Sequence, residues 1–128
     1  MSPTTGEWVD KAEGDFATLG RETRARAKPN YDAACFHAQQ CIEKYLKARL
    51  NQAGIHFEKI HDLVVLLDQA LAVEPAWSLF RSDLGTLSQF AVTVRYPGPM
   101  AARKEALEAR RICRAFRLAA RAALGLKT

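Results

Sequence analysis

Residues 31–48 read YDAACFHAQQCIEKYLKA, and this stretch decides the fold. Its apolar side chains recur at the three- and four-residue spacing of one helix face. Asn30 is a favourable N-cap residue, and Gly54 suits the position that follows a helix, so the pattern predicts a helix over residues 31–53. The predicted apolar face consists of Ala34, Cys35, Ala38, Cys41, Ile42, Tyr45 and Leu46.

The polar residues of this helix are predicted to lie mostly off the apolar face. They are Gln39, Glu43, Lys44 and Lys47. Glu43 and Lys47 are four residues apart, in the order that favours an ion pair along a helix. A solvated face is the common role of such a charged row, so both lysines are predicted to lie in solvent. Lys44 is kept as a candidate phosphate contact.

Further helices are predicted on both sides of this one. The capping box Thr4-x-x-Glu7 predicts a first helix, which Pro29 ends after a basic segment. Asp62 can cap a short third helix, and Pro75 suits the first turn of a fourth. The predicted apolar positions are Trp8, Ala12, Phe16 and Leu19 in the first, Leu63, Leu66, Leu67, Ala70 and Leu71 in the third, and Leu79, Phe80, Leu87, Phe90, Ala91 and Val94 in the fourth.

The last third of the chain predicts one long helix after a loop. Residues 96–99, Tyr-Pro-Gly-Pro, cannot continue a helix. A helix is predicted from Ala101 to about Leu124, with Ala102, Ala109, Ile112, Cys113, Phe116, Ala120 and Ala123 inward. No segment alternates with period two for long enough to predict a strand. Residues 1–128 are therefore predicted to form a single all-α domain, an antiparallel up-and-down bundle of four to five helices.

Composition excludes several classes of protein. The chain is 48% hydrophobic and 26% charged, with 7 Gly and 5 Pro among 128 residues, which excludes a disordered or collagen-like chain. The longest apolar run is residues 63–67, so no membrane span is predicted. The first ten residues lack the features of a secretory signal, so we expect a cytoplasmic protein. The three cysteines, Cys35, Cys41 and Cys113, are predicted to be free and buried.

The positive charge is concentrated in the last helix. The net charge is +5, whereas residues 101–128 carry 8 basic and 2 acidic side chains, a net charge of +6. Spacings of 7, 4, 3 and 4 residues predict that five arginines share one side of this helix. A phosphate backbone or an acidic partner would offset their repulsion, and a chance surface stripe is the alternative. The stripe consists of Arg103, Arg110, Arg114, Arg117 and Arg121.

The pattern YDxAxFxAQQxxEKxLKA at residues 31–48 resembles the HEPN domain family, whose name abbreviates "higher eukaryotes and prokaryotes nucleotide-binding". His61-Asp62-Leu63, Arg95-Tyr96-Pro97-Gly98 and residues 105–109 extend the resemblance over nearly the whole chain. It implies a bundle of about five helices that is commonly dimeric. It also implies a small prokaryotic protein, often encoded beside a minimal nucleotidyltransferase, and some such pairs are toxin–antitoxin modules.

Many members of that family are metal-independent ribonucleases. Their motif is Arg, four to six residues, then His, near the dimer axis in a late helix. Arg95 and Tyr96 occupy about that place, but no histidine follows them. Arg49 and His56 have the spacing, yet they lie at the end of the second predicted helix and in the next loop. No catalytic residue is therefore assigned, and a binding or accessory role is favoured.

A candidate nucleotide or phosphate cleft is assigned to His61, Asp62, Arg95, Tyr96 and Lys44. The structural alternative has Asp62 as an N-cap and His61 closing the turn with a hydrogen bond. Arg95 either binds a phosphate with its forked guanidinium or forms an internal ion pair. Tyr96 either stacks on a base or fills a dimer interface.

Three functions are weighed. The first is a non-catalytic protein that binds a nucleotide or RNA and forms a homodimer. In this function it is the accessory partner of a nucleotidyltransferase in a toxin–antitoxin-like pair. The second is a divergent metal-independent ribonuclease that uses His61 or His37 with Arg95. The third is a purely structural dimerisation module. The sequence contains no phosphate loop, GxGxxG turn or HExxH pair, so neither a cofactor nor a metal is predicted.

Overall fold

The computed structural model describes residues 1–93, 97–98 and 100–128, except for the side chains of residues 91–93. Within these residues the chain is helical and has no strand, which confirms the predicted fold class. None of the described helices combines the length and hydrophobicity needed to cross a membrane. The elements are α1 (Pro3–Arg24), α2 (Tyr31–Gln52), α3 (Leu63–Ala70), a 3₁₀ helix (Pro75–Phe80), α4 (Arg81–Thr93) and α5 (Arg103–Ala123).

The capping residues set the boundaries of α2 and α3 as predicted. The side chain of Asn30 accepts a hydrogen bond from the backbone of Ala33 at 2.9 Å. Gly54 follows the end of α2 at φ +71°, in the left-handed region that favours glycine. The Asp62 carboxylate accepts from the backbone N–H groups two and three residues further on, at 2.9 and 3.2 Å. These satisfied backbone donors fix where each helix begins.

The start of α1 differs from the prediction. Ser2, not Thr4, is the N-cap, and its hydroxyl accepts from the backbone of Thr5 at 3.2 Å. Pro3 takes the first helical position, where its missing N–H group costs nothing. The helix therefore begins earlier than the capping box of Thr4 and Glu7 indicated.

Among the described residues, two positions predicted to be apolar and inward are exposed; the predicted positions Val94 and the side chain of Ala91 lie outside those residues. Pro75 begins a 3₁₀ helix rather than an α-helix, and the tighter turn leaves Leu79 71% exposed. Trp77 is buried in its place, with its ring centroid 4.9 Å from that of Phe116. Ala102 is exposed because it is the extended N-cap residue of α5 and precedes the helix.

The core surrounds α2, which packs against α1, α3, α4 and α5. Thr5 near the start of α1 donates to Asn51 near the end of α2 at 2.6 Å, so these helices are antiparallel. The backbone N–H of Ala101 donates to the Asp32 carboxylate at 2.6 Å, which brings the start of α5 beside the start of α2. The largest fully buried side chains are Tyr45, Phe116, Leu19, Ile42, Leu46, Leu50, Leu63, Leu66, Leu67, Leu84, Leu87 and Ile112.

All three cysteines are free and fully buried, as predicted. Cys41 of α2 is hydrogen-bonded to Cys113 of α5, and this bond together with burial raises the pKa of the Cys41 thiol. Burial raises the pKa of the Cys35 thiol to about 11. The cysteines are therefore part of the helix packing.

Candidate functional site

A groove of about 440 Å³ lies between α1 and α5. Its volume is within the range of small-molecule sites. Arg24 comes from the last turn of α1, and Arg110 and Arg114 come from consecutive turns of α5. Apolar side chains are contributed by Phe16 and by Leu118, which is 49% exposed. We call this site the arginine groove.

Within the described residues, the three arginines Arg24, Arg110 and Arg114 have no counter-charge. None of them forms an ion pair with an acidic side chain in the part of the chain that the structure describes. Arg110 and Arg114 are four residues apart on one helix, a spacing at which like charges repel. An anion bound between the three guanidinium groups would remove this repulsion.

Gly20 makes room for Arg24. A Cβ atom at residue 20 would lie 2.7 Å from Nη1 of Arg24, closer than non-bonded atoms approach. The guanidinium of Arg24 therefore lies back along α1, over the turn that contains Gly20. A side chain at that position would displace it.

Arg117 also lines the groove, but a carboxylate already binds it. Its Nε and Nη2 donate to Glu13 at 2.8 and 2.7 Å, and its Cζ lies 4.3 Å from the centroid of the Phe16 ring. The hydrogen bonds from Arg117, and a further one from Tyr45, hold the pKa of Glu13 below its usual value against the opposing effect of burial. This pair joins α5 to α1.

The structure therefore divides the predicted arginine stripe. Arg110 and Arg114 line the groove with no acidic partner among the described residues, whereas Arg117 is bound to Glu13. Arg121 donates to the Tyr45 hydroxyl at 3.0 Å and to a backbone carbonyl at 2.5 Å. Arg103 is exposed in the first turn of α5 and does not line the groove.

The residues assigned from the sequence to a nucleotide or phosphate cleft each contact a different partner in the structure. Asp62 caps α3. Nδ1 of His61 lies 3.2 Å from both carboxylate oxygens of Glu43. Lys44 lies 2.5 Å from Asp15 instead. Within the described residues, no hydrogen bond or ion pair joins the side chains of His61, Asp62 and Lys44 to one another. Arg95 and Tyr96 lie outside the described residues.

The outer face of α2 is buried, which corrects the prediction of a solvated row. Gln39, Glu43 and Lys47 are 3%, 3% and 5% exposed. Trp8 of α1 and Phe57 of the loop after α2 cover Lys47, whose ammonium lies 5.4 and 5.8 Å from their ring centroids. Lys47 lies 3.2 Å from Glu43, so the two charges compensate each other away from water.

His61 closes this buried cluster at the surface. Its side chain is 68% exposed, whereas the Glu43 side chain beneath it is 4% exposed. An ionised carboxylate only accepts hydrogen bonds, so the contact is consistent with Nδ1 as the donor, and Nε2 makes no hydrogen bond to the described residues. Gln39 donates to the His61 carbonyl at 3.0 Å and fixes the backbone there. An imidazole held in this way can exchange protons through Nε2.

A family model for the HEPN domain matches residues 5–122 of the 128. The chain belongs to the HEPN domain family. The match covers every helix of the bundle and confirms the resemblance of residues 31–48. Membership indicates a nucleotide- or RNA-related function at the level of the family. No significant match to the chain is found among curated proteins or solved structures.

Two residues of the arginine groove of this HEPN domain were missed by sequence reasoning. Arg24 lies in the basic segment at the end of the first predicted helix, and neither Arg24 nor Gly20 is predicted from the sequence to form a site. The detectable signal is a glycine inside a helix, four residues before an arginine, because that spacing places both on one helix face. Their position beside Arg110 depends on the packing of α1 against α5, which no local pattern contains.

The groove of the HEPN domain can bind an anion by charge-assisted hydrogen bonds. Each guanidinium presents a planar fork of donors that matches phosphate or carboxylate. Phe16 and Leu118 supply apolar surface beside those donors. Charged donors next to apolar side chains suit a ligand with both a phosphate and a flat ring.

Proposed function

We propose that this HEPN domain is a non-catalytic nucleotide- or RNA-binding protein that binds a phosphate in the arginine groove. The observation that carries the proposal is that, among the described residues, Arg24, Arg110 and Arg114 have no acidic partners around a groove of nucleotide size. Hydrogen bonds to charged groups contribute roughly 1.5–3 kcal/mol each. A phosphate shared by three guanidinium groups would also offset their mutual repulsion.

The charge balance supports a phosphate ligand. Residues 101–128 carry a net charge of +6. Arg111 is neutralised by Glu108 at 2.6 Å and Arg117 by Glu13 at 2.7 Å. The uncompensated charge therefore includes Arg110 and Arg114, which face the groove. A polyphosphate or a phosphodiester backbone has the complementary charge.

The first experiment is calorimetric titration with ATP and with a short single-stranded RNA at moderate salt. Arg110→Gln with Arg114→Gln should weaken binding by about tenfold or more, since roughly 1.4 kcal/mol corresponds to tenfold. The matched control is Lys11→Gln with Lys59→Gln, which removes the same charge from two exposed lysines outside the groove. Absence of binding below millimolar ligand, or an equal loss in the control, would overturn the proposal.

We further propose that the protein is the accessory partner of a minimal nucleotidyltransferase in a toxin–antitoxin-like pair. The support is the HEPN membership together with an anion groove whose described lining contains no Asp, Glu or His side chain. Co-expression with a nucleotidyltransferase encoded in a neighbouring reading frame should yield a complex that elutes as one species. Separate elution, or a gene without such a neighbour, would contradict this role.

A homodimer is part of the proposal. The resemblance to HEPN proteins implies one, and the exposed apolar side chains of Val65 and Leu79 are surface that a second copy could cover. Light scattering should give twice the chain mass of 14.2 kDa. A concentration-independent mass of one chain would contradict it.

A metal-independent ribonuclease is the second candidate, and the contact between His61 and Glu43 favours it. A carboxylate that orients an exposed imidazole is a common arrangement for acid–base catalysis, which contributes roughly 10²- to 10⁴-fold in rate. His37, whose Nδ1 lies 2.7 Å from a carboxylate oxygen of Asp15, is the second histidine to be tested. We expect no RNA cleavage in the presence of a chelator. Cleavage that His61→Ala abolishes and His37→Ala retains would make the ribonuclease the better account.

A further inference from the structure

The chain turns back on itself after α5. Gly125 has a φ of 76°, in the left-handed region that favours glycine. The backbone N–H of Gly125 donates to the Ala122 carbonyl at 3.1 Å, and that of Leu126 donates to the Arg121 carbonyl at 2.8 Å. These two bonds form the Schellman motif, which ends a helix and reverses the chain beside its last turn. We call residues 125–128 the strap.

The strap reaches the arginine groove. Thr128 is one of the residues that line the groove. The backbone carbonyl of Lys127, the residue before it, accepts from Nε of Arg121 at 2.5 Å. Arg121 lies one helical turn beyond Arg117, on the same side of α5 as the other arginines of the groove. The strap therefore lies at the Arg117 end of the groove, where its carbonyl takes up a donor of the arginine row.

A phosphate is a stronger partner for Arg121 than the strap is. The Lys127 carbonyl carries no formal charge, whereas a phosphate adds Coulombic attraction to the hydrogen bond. Arg121 is also held from the other side, because its Nη1 donates to the Tyr45 hydroxyl at 3.0 Å and lies 3.7 Å from Glu13. The guanidinium therefore keeps its place when the strap leaves, and its Nε then faces an incoming anion.

Few contacts hold the strap against the bundle. Among its four residues, all within the described part of the chain, Leu126 is packed against the core, whereas Gly125, Lys127 and Thr128 are exposed. A segment with few buried apolar contacts opens locally at a low free energy. Segments that open in this way commonly control access to a binding site.

We infer that the strap is a gate of the arginine groove, which a triphosphate displaces and a monophosphate leaves in place. The inference rests on the proposed function and concerns the control of that site. A single phosphate binds between Arg24, Arg110 and Arg114 and needs no further donor. A longer phosphate chain extends along α5 towards Arg121, which lies about 10 Å further along the helix axis than Arg114. Because this chain must first displace the strap, its measured affinity is lower than that of an open groove.

The first test uses two substitutions of Gly125. Valine is strained in the left-handed backbone and should release the strap, whereas asparagine tolerates that conformation and should keep it. No atom lies within 4 Å of a Cβ at this position, so neither side chain is excluded by a clash. We expect calorimetric titration to show that Gly125→Val binds ATP about tenfold tighter than the wild type, the gain for a strap that is open in roughly one molecule in ten. AMP should bind both variants and the wild type equally, and Gly125→Asn should match the wild type with ATP.

A second variant releases the strap in a different way. Leu126→Ser removes the apolar contact and should give the same gain in ATP affinity. Leu79→Ser is the control, because it changes an exposed leucine outside the groove. Thermal melting of each variant checks that the bundle is folded.

The displacement itself can be measured in the wild type. Hydrogen exchange of the Leu126 backbone N–H reports on its bond to the Arg121 carbonyl. Saturating ATP should accelerate this exchange several-fold, whereas saturating AMP should leave it unchanged. Equal exchange with the two nucleotides would overturn the gate.

Failure of the inference differs from failure of the proposed function. If Arg110→Gln with Arg114→Gln weakens binding of ATP and AMP, the groove binds a phosphate. In that case, equal ATP affinities of Gly125→Val and Gly125→Asn overturn the gate, and so does a gain that is the same for AMP. A loss of ATP affinity in Gly125→Val also overturns it, because the strap is then part of the binding site. If neither nucleotide binds to any variant, the proposed function and the inference fall together.

Discussion

Arg117 of α5 binds Glu13 of α1 through two hydrogen bonds, of 2.8 and 2.7 Å, although 104 residues separate them in sequence. The Tyr45 hydroxyl of α2 donates to the same carboxylate at 2.5 Å. One acidic side chain thus joins three helices. The contact gives Arg117 a structural role, whereas Arg114, one turn earlier, has no counter-charge among the described residues.

We expect Glu13→Gln to destabilise the fold by about 1.5–3 kcal/mol, because it leaves the half-buried Arg117 without a charged acceptor. Urea denaturation measures the free energy of unfolding. Glu7→Gln is the control, since it removes an exposed carboxylate from the same helix. Equal effects of the two substitutions would contradict the role of Glu13.

The same contact predicts a pH dependence. The pKa of Glu13 is lower in the folded protein than its usual value of 4.5, chiefly because Arg117 donates hydrogen bonds to the carboxylate. Its stabilising contribution is therefore full above the usual pKa and is lost as the pH falls through the folded value. Unfolding free energies measured from pH 7 down to acid should fall less steeply below about pH 4.5 in Glu13→Gln than in the wild type. Parallel curves would contradict this assignment.

Gly20→Ala and Gly14→Ala should separate stability from binding. Alanine in a helix interior is favoured over glycine by roughly 1 kcal/mol, so Gly14→Ala, with open space around the new methyl group, should stabilise α1. Gly20→Ala places its methyl group against Arg24 and should weaken binding of ATP several-fold while stabilising the fold less. Melting temperatures and calorimetric titration of the two variants measure both effects. Unchanged ATP affinity in Gly20→Ala would contradict the role of Gly20 in positioning Arg24.

Lys47→Met should destabilise the protein by about 3–5 kcal/mol, because it leaves the buried Glu43 carboxylate without its cation. The double variant with Glu43→Gln should cost less than Lys47→Met alone, since no buried charge then lacks a partner. Urea denaturation of the two variants and of the exposed-site control Lys59→Met tests the cluster. If Lys47→Met lowers the free energy of unfolding by less than about 1 kcal/mol, water must reach the Glu43 carboxylate.

The three cysteines should be unreactive towards a thiol reagent at pH 8 in the folded protein. They are fully buried, and the pKa values of Cys35 and Cys41 are raised, so little thiolate forms. All three should react after denaturation. Rapid labelling of the native protein would contradict the packing of α2 against α5.

Much of the fold could be predicted from short-range patterns. Asn30, Gly54 and Asp62 fix helix boundaries through bonds to residues only a few positions away, so the sequence alone contains the information. The fourth helix was harder, because Pro75 is equally compatible with an α-helix and with the 3₁₀ helix that exposes Leu79.

The candidate site depended on contacts between distant residues. Lys47 is buried because Trp8 and Phe57 cover it from other elements, and helix periodicity cannot reveal such a cover. Likewise, the spacing of the stripe placed Arg117 beside Arg114, but only tertiary packing assigns Glu13 to one of them. The regular spacing of the arginines therefore predicted a basic face of α5, but it could not predict which of these arginines is paired with an acidic side chain.

The pairing of α1 with α5 has a consequence for the order in which function arises during synthesis. Gly20 and Arg24 are made early, whereas Arg110 and Arg114 belong to the final helix. Contacts so distant in sequence form only when nearly the whole chain is present. A nascent chain on the ribosome already carries one wall of the arginine groove but lacks the other until α5 has emerged. The proposed anion binding therefore requires α5 to have docked against α1.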